Sequence, residues 1–349
     1  MLDSTRQLAS LATIHDLRPI PDADAIEVGS VRSWDVVVRK GEFHDGDPVL
    51  YVEPDAALPL QDPRFAFLAQ RGEKTIDEQK YHVLKTARLR GQLSQGIVFP
   101  AAEFPDVSTE DGRSLDEQLG IKLWEPPMPP VGAGMVGPWD QRWLRKTDAE
   151  RVQNLPDEWF AAADDGLWSA SEKIDGTSLT YVLEKDGRLR VYSRNWELDT
   201  SNPDATPVRL ARELALANWM RDNKVDALQG EMYGEGVNGN RLRAKGQRLA
   251  LFAAWRRPED GLAEDCFDQV SASAREAELE LAPPMLGLGF PTDGHQALAL
   301  ADGLKSIVNP EVLAEGVVWR HSGYRYFAEL DGRLVCKAVS PAYLLKHKL

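Results

Sequence analysis

Residues 125–138 read EPPMPPVGAGMVGP, and no packed helix or central strand tolerates that density of proline and glycine. Such a stretch is a semi-extended connector. It divides the 349 residues into two units, each long enough for a core of its own. The expected organisation is an N-terminal module at 1–125, a linker at 126–138 and a second domain at 139–349.

Upstream of the connector, short apolar runs at 11–14, 35–39, 48–52, 86–89 and 96–99 are separated by Gly, Pro and Asp. Many short strands with turn residues between them make a small barrel. Residues 21–26 (PDADAI) and 38–43 (VRKGEF) resemble the OB-fold modules attached to some tRNA- and RNA-handling enzymes. Residues 64–80 are polar and of mixed charge, and read as loop or short helix. Arg39, Lys40, Arg88 and Arg90 are either phosphate contacts or solvated surface.

Downstream, strands and helices alternate. Residues 178–184 and 188–193 flank Lys185-Asp186-Gly187, a hairpin signal. Apolar positions at helical spacing predict one amphipathic helix over 208–228 and another over 263–281, stopped by Pro283-Pro284. Strand-like runs lie at 229–233, 249–253, 317–319, 324–330 and 333–339, with Asp331-Gly332 turning between the last two. Ser340-Pro341 opens a short closing helix as N-cap and first-turn proline. Hairpins outnumber β-α-β units. The predicted class is therefore α+β: an OB-like β-barrel, then a domain of mostly antiparallel sheets flanked by helices.

One lysine in this second domain stands apart. Residues 171–178 read SEKIDGTS, placing Lys173 at the end of a strand-like run and just before an Asp-Gly turn, where Gly176 permits close approach of a ligand. Its amine becomes a nucleophile only when unprotonated, which takes nearby positive charge or a metal. Further polar residues occupy strand ends. Glu231 lies in Gly230-Glu231-Met232-Tyr233-Gly234, Glu315 opens Glu315-Gly316-Val317-Val318, and Arg194 ends a strand in Ser193-Arg194-Asn195. Lys337 interrupts an apolar strand and needs a partner if buried, either a phosphate or a carboxylate. Phe252, in an apolar strand, reads as core on periodicity alone.

Taken in order, Lys173-x-Asp175-Gly176, Ser193-Arg194-Asn195, the Glu231 and Glu315 segments, Phe252 and Lys337 resemble the motif series of the covalent nucleotidyltransferase superfamily. That superfamily comprises ATP-dependent DNA and RNA ligases and mRNA capping enzymes. Glu172, the Ser-Arg-Asn run and residues 236–240 (GVNGN) are most similar to its nick-sealing RNA ligase 2-like branch. An OB-like module ahead of the catalytic domain is similar to the Deinococcus-type RNA ligase.

The resemblance implies that Lys173 carries AMP, Glu172 and Gly176 line the nucleoside pocket, and Phe252 stacks on adenine. It implies nucleotide contacts from Arg194, from Glu231 towards the ribose and from Lys337 on the α-phosphate, with a weaker carry-over at Lys146. Glu231 and Glu315 would serve a divalent metal, Mg²⁺ or Mn²⁺. Two departures stand out. Val335 occupies the first position of a closing Lys-x-Lys pair, so that either Lys337 alone serves the α-phosphate or Lys346 or Lys348 helps it, and only a short helix follows the last motif, where DNA ligases and capping enzymes carry a further OB domain.

A formal net charge of −14 leans away from a protein that merely coats nucleic acid, so a polynucleotide contact needs a local basic groove. Arg241, Arg243, Lys245, Arg248, Arg256 and Arg257 form a tract free of acidic residues that is either such a groove or a solvated face. Cys266 and Cys336 are isolated, which argues against a zinc site or a disulfide scaffold and suits the cytoplasm. No apolar run reaches the length of a membrane span, and the start lacks a signal-peptide pattern. The expectation is a cytoplasmic ATP-dependent RNA ligase acting on nicked duplex RNA or an RNA/DNA hybrid, with no membrane and no obligate protein partner. A DNA ligase, a GTP-using capping-type enzyme and an inactive RNA-binding scaffold are the alternatives, the last kept open by Val335.

Overall fold

The computed structural model describes residues 7–109, 113–124, 134–139, 143–144, 148–259, 263–323, 327–330 and 334–349. Most of the Pro/Gly connector, Lys146 and the Asp331-Gly332 turn lie outside the described residues.

The N-terminal part is built from short antiparallel strands: β1 (Ala9–Thr13), β2 (His15–Pro19), β3 (Ile26–Val31), β4 (Trp34–Arg39), β5 (Pro48–Val52) and β6 (Ile97–Pro100). β5 is the central strand of one sheet, its Tyr51 paired with Ser10 of β1 and Val98 of β6. Alternation explains why β5 is apolar throughout. Leu50 and Val52 enter a core with Phe65, Phe99 and Phe104, while Val49 and Tyr51 enter a second core with Ile14, Val31 and Trp34. β3 and β4 form a hairpin whose tip, Arg32-Ser33, has Arg32 at φ 51°.

The 64–80 segment departs from expectation. A 3₁₀ turn at Ala66–Arg71 is followed by a hairpin of Lys74–Ile76 and Gln79–Val83. Its turn residues, Asp77 and Glu78, both have positive φ (47° and 66°), which suits the twist of a tight hairpin. An Asp-Glu turn lacks the glycine by which such hairpins are normally read.

The second part contains two sheets. One has seven strands, in the order Met135–Pro138, β10 (Trp196–Leu198), β9 (Leu189–Tyr192), β8 (Thr177–Leu183), β11 (Ala227–Gly234), β12 (Gln247–Arg256) and Glu264–Asp265. The other has four, in the order Glu150–Arg151, β14 (Val335–Val339), β13 (Gly316–His321) and β7 (Trp168–Lys173). Each sheet is covered by helices on one face. Leu179, Tyr181, Leu228, Met232, Leu249 and Leu251 pack with side chains of Thr206–Glu213, Leu216–Asp222 and Phe267–Glu276. Val317, Trp319, Cys336 and Ala338 pack with Trp159 and Phe160 of one helix and Ala297 and Leu298 of another. Alternation turns the other set of side chains, including Lys337, to the uncovered faces.

Two helical expectations are corrected. The helix predicted over 208–228 is broken at Ala215, whose φ of 49° lies in the left-handed region, and its last residues already belong to β11. The helix predicted over 263–281 is confined to Phe267–Glu276. Within the predicted strand 324–330, Ala328–Leu330 is a 3₁₀ turn. The closing helix, α1 (Pro341–His347), forms as expected, with the Ser340 hydroxyl accepting from the Tyr343 N–H. No helix among the described residues is long and apolar enough to cross a membrane.

The left-handed alanine carries a cost that glycine avoids. Ala215→Gly is expected to raise the free energy of unfolding by about 1 kcal/mol, read as a higher urea midpoint at unchanged slope.

Candidate active site

Lys173 is the last residue of β7, and Thr177 is the first of β8. The Ile174-Asp175-Gly176 turn therefore hands the chain from the four-stranded sheet to the seven-stranded one, with Lys173 at the mouth of the cleft between them. The turn lies hard against its neighbours. A Cβ on Gly176 would stand 2.2 Å from the Met232 carbonyl oxygen, so no other residue fits there. Gly316, opposite Lys173 in register, is equally constrained, with the Ala338 carbonyl oxygen 2.1 Å from its missing Cβ.

Asp175 fixes the turn from below. Its Oδ2 accepts from Arg241 at 2.9 Å and from the Tyr343 hydroxyl at 2.5 Å, while the Asn238 side-chain amide donates to the Gly176 carbonyl. One residue of the basic tract, one residue of the 236–240 loop and one residue of α1 are thus committed to holding Asp175 and Gly176.

Carboxylates crowd the amine. Lys173 Nζ lies 2.7 Å from Glu315 Oε2, but off the hydrogen-bonding direction, so that this buried oxygen is left without a hydrogen-bond partner. Burial works against the Lys173 charge, yet Glu315, Glu231 and Asp175 outweigh it and raise its pKa above the ordinary value. Glu231 is pushed up to about 8 by burial and by the neighbouring Glu315 and Asp175, against the pull of Lys173. Glu315 is raised for the same reason, burial first. Burial, first of all, thus works against negative charge on both glutamates in the free protein.

Lys337 lies on β14 opposite Val318, on the face turned to the cleft. Burial and the nearby Lys173, Arg151 and Arg194 bring it down to about 7, with Asp148 opposing. Arg194 follows β9 and is paired with Asp148. Lys346 and Lys348 stay exposed at the end of α1. The cations that accompany Lys337, where a lysine at Val335 would have stood, are thus Arg151 and Arg194. Arg151 was not singled out from the sequence. It shares a two-residue strand with Glu150 and is placed beside Lys337 only by parallel pairing with β14.

Phe252 is only half-buried, packed at the edge of a small cluster with Ala253 and Trp255, where its periodicity reads as full core. Gly230 pairs with Leu251 and Gln229 with Ala253, so Phe252 is the extra residue of a β-bulge, and it lines the cleft. Bulges re-aim side chains in this way beside active sites. The Leu251 N–H donates to the Glu280 carbonyl, and the Leu251 carbonyl accepts from the Ala282 N–H. The same segment continues to β7, where the Glu172 N–H donates to the Pro283 carbonyl.

Glu172 alternates to the face opposite Lys173. One of its oxygens accepts from the Ile307 N–H at 2.7 Å, and the other is buried without a partner. Most of the basic tract is engaged within the protein. Arg241 holds Asp175, Arg248 pairs with Glu280, Arg257 pairs with Glu184, and Arg256 bonds Gln269 and the Lys224 carbonyl. Arg243 and Lys245 are exposed.

Among the described residues no group of three or more His, Cys, Asp or Glu is arranged to hold a metal. Glu231 and Glu315 nonetheless fit a hard divalent cation. Their oxygens are of the right type, a cation would offset the burial that disfavours their charge, and such ions take their remaining ligands from phosphate and water.

A barrel followed by paired sheets with a lysine at their junction is the architecture of an N-terminal OB-fold domain and a nucleotidyltransferase-type domain. An OB-fold model matches residues 8–101, and an RNA ligase model matches residues 166–339. No curated protein matches the sequence. Among solved structures, a lysine-to-alanine mutant of Naegleria gruberi RNA ligase with ATP and Mn is 33% identical, covering 98% of this chain and 99% of its own, with a TM-score of 0.84. A lysine-to-methionine mutant with AMP and Mn is 32% identical over 98% and 99%, with a TM-score of 0.85. The Naegleria enzyme with PPi is 33% identical over 99% of each chain, with a TM-score of 0.84. The chain belongs to the RNA ligase family.

The Tyr343 hydroxyl is one of two side-chain donors on a buried motif carboxylate. Tyr343→Phe is expected to cost about 2 kcal/mol of stability, measured by denaturant unfolding at neutral pH.

Proposed function

We propose that this enzyme seals 3′-hydroxyl/5′-phosphate nicks in duplex RNA or RNA/DNA hybrids through a lysyl-AMP on Lys173, in the manner of the Deinococcus-type branch. The observation that carries the reading is the position of Lys173, at the turn between two sheets, with Glu231, Glu315 and Lys337 converging on it. The ATP, AMP, PPi and Mn bound by the Naegleria enzymes support ATP as the nucleotide and Mn²⁺ or Mg²⁺ as the metal.

In this reading the neutral Lys173 amine attacks the α-phosphorus of ATP. A P–N bond forms and the P–O bond to pyrophosphate breaks. AMP then passes to a 5′-phosphate at the nick, and the 3′-hydroxyl attacks that phosphate and expels AMP. Phe252 stacks on the base, Gly176 and the backbone of Glu172 line the nucleoside pocket, and Glu231 serves the ribose. Lys337 and Arg194 hold phosphate oxygens, and Lys146 is a weaker candidate for the same work. Glu231 and Glu315 would hold the divalent cation, which offsets phosphate charge when bound. Glu315, Glu231 and Asp175 favour the proton on Lys173 in the free enzyme, and a cation bound by them would release it more readily.

The proposed boundaries are a barrel at 1–125, a linker at 126–138 and the adenylation domain at 139–349, with the end of the linker, Met135–Pro138, added to the domain's sheet as an edge strand. Cys266 and Cys336, both buried and unbridged, suit a reducing cytoplasm.

Incubation with α-labelled ATP tests the reading: wild type should take up covalent label and Lys173→Ala none. Label on the alanine variant equal to wild type would sink it. Labelling with GTP in place of ATP identifies a capping-type enzyme, and nicks with DNA at the 3′-hydroxyl side identify a DNA ligase.

The depressed pKa of Lys337 sets a pH dependence. Its ammonium is present below about 7 and lost above it, so anion binding weakens as pH rises. The half-saturating ATP concentration for labelling is expected to climb between pH 6 and 8, by at most about tenfold per unit. Lys337→Arg, charged throughout, should flatten that climb.

A further inference from the structure

We infer that Glu280, held by Tyr233 and Arg248, is a positioning residue for the nucleotide base: it sets the bulge that turns Phe252 to the cleft. The group recognised is the purine of an adenylate. This role presupposes the lysyl-AMP reading above and names what aims its stacking ring.

Phe252 lies inside a ten-residue strand, with Leu251 packed under the helices on one side of it and Ala253 in a small cluster on the other. The bulge arises where β12 meets two partners at once. Leu251 pairs with Gly230 of β11 on one edge. On the other edge its N–H donates to the Glu280 carbonyl and its carbonyl accepts from the Ala282 N–H, both at 2.8 Å. That second contact is a single parallel bridge, Leu251 with Leu281. A pairing one residue long does little to fix register.

The Glu280 side chain supplies the register that the bridge lacks. Its Oε1 accepts from the Tyr233 hydroxyl, and its Oε2 accepts from Arg248 Nε at 2.9 Å. Tyr233 and Arg248 stand directly opposite each other on β11 and β12, with the guanidinium 5.4 Å over the tyrosine ring. Both carboxylate oxygens are therefore tied to one rung of the sheet, three residues before Leu251. Charge-assisted bonds of this kind outweigh a backbone bond. The rung is itself located against the motif turn, because Tyr233 is fully buried and packs with Ile174, Leu242 and Ala250. A few residues on, the Pro283 carbonyl accepts from the Glu172 N–H at 2.8 Å. The ring that meets the base is thus set in register with the strand that carries the amine.

A brace of the whole site would also give way when Glu280 is lost, so the test separates base from phosphate. The full chain would be titrated with α-labelled ATP to follow labelling of Lys173. The labelled protein would then be titrated with pyrophosphate, which has no base: its oxygen attacks the lysyl-AMP phosphorus, the P–N bond breaks and ATP is re-formed. Glu280→Ala and Tyr233→Phe are expected to raise the half-saturating ATP concentration by about fivefold. Glu280→Gln, which keeps an acceptor for Tyr233, should raise it less. All three should keep the half-saturating pyrophosphate within about twofold of wild type. Phe252→Ala should also raise the ATP requirement, and Glu280→Ala/Phe252→Ala should be no worse than Phe252→Ala alone. An unchanged ATP requirement in Glu280→Ala and Tyr233→Phe would overturn the inference. So would an equal rise for pyrophosphate, or a double variant whose rise is the product of the two single ones. If Glu280→Ala takes no label, Tyr233→Phe, which removes only a hydroxyl, decides by the same criteria. Absence of label on the wild type would bring down the lysyl-AMP reading itself.

Discussion

A primary amine ringed by carboxyl groups, half-buried at the mouth of a cleft, is the constraint on which this molecule is built. Glu315 and Glu231 favour the Lys173 ammonium at a site where burial works against its charge. Such a cluster is costly unless each member is held and compensated. The fold does the holding through two sheets with their helices on the outside and their bare faces towards one another. Only at the junction, where the chain leaves one sheet for the other, can residues from β7, β11, β13 and β14 converge on one point. A cation and a polyphosphate would bring further charges to that point in complementary pairs.

The backbone hydrogen bonds of residues 280–285 tie these requirements together. This irregular segment satisfies Leu251 at the bulge and, a few residues later, Glu172 and Ala170 on β7. It lies between the ring that would meet the base and the strand that ends in the lysine. The two sheets are thereby joined by hydrogen bonds along one side of the cleft, beyond the covalent turn at the motif.

Legibility from the sequence follows how local each cause is. The Lys-x-Asp-Gly turn, the two glutamates at strand ends and the lysine in an apolar strand were readable because each depends on a few consecutive residues. Phe252 reads as core on periodicity, since the bulge that turns it to the cleft is set by a segment about thirty residues further on. Arg151 carries no signal of its own, because a two-residue parallel pairing with a distant strand gives it its place. The six clustered basic residues pointed to a groove, yet four are occupied by Asp175, Glu184, Glu280 and neighbouring carbonyl or amide groups. The helix break at Ala215 is invisible for a related reason. Apolar spacing continues across it, and only packing on the sheet requires the left-handed residue.

The bond between Tyr343 and Asp175 spans 168 residues of sequence. On a ribosome the motif turn emerges long before the tyrosine that caps its carboxylate, and the intervening strands must form while Asp175 still lacks that donor. Contacts so far apart in sequence form late. The nucleophile is therefore among the last parts of the enzyme to be put in order, although its motif is synthesised near the middle. A nascent chain can carry a finished barrel and nearly complete sheets and still have no organised site at which to spend ATP.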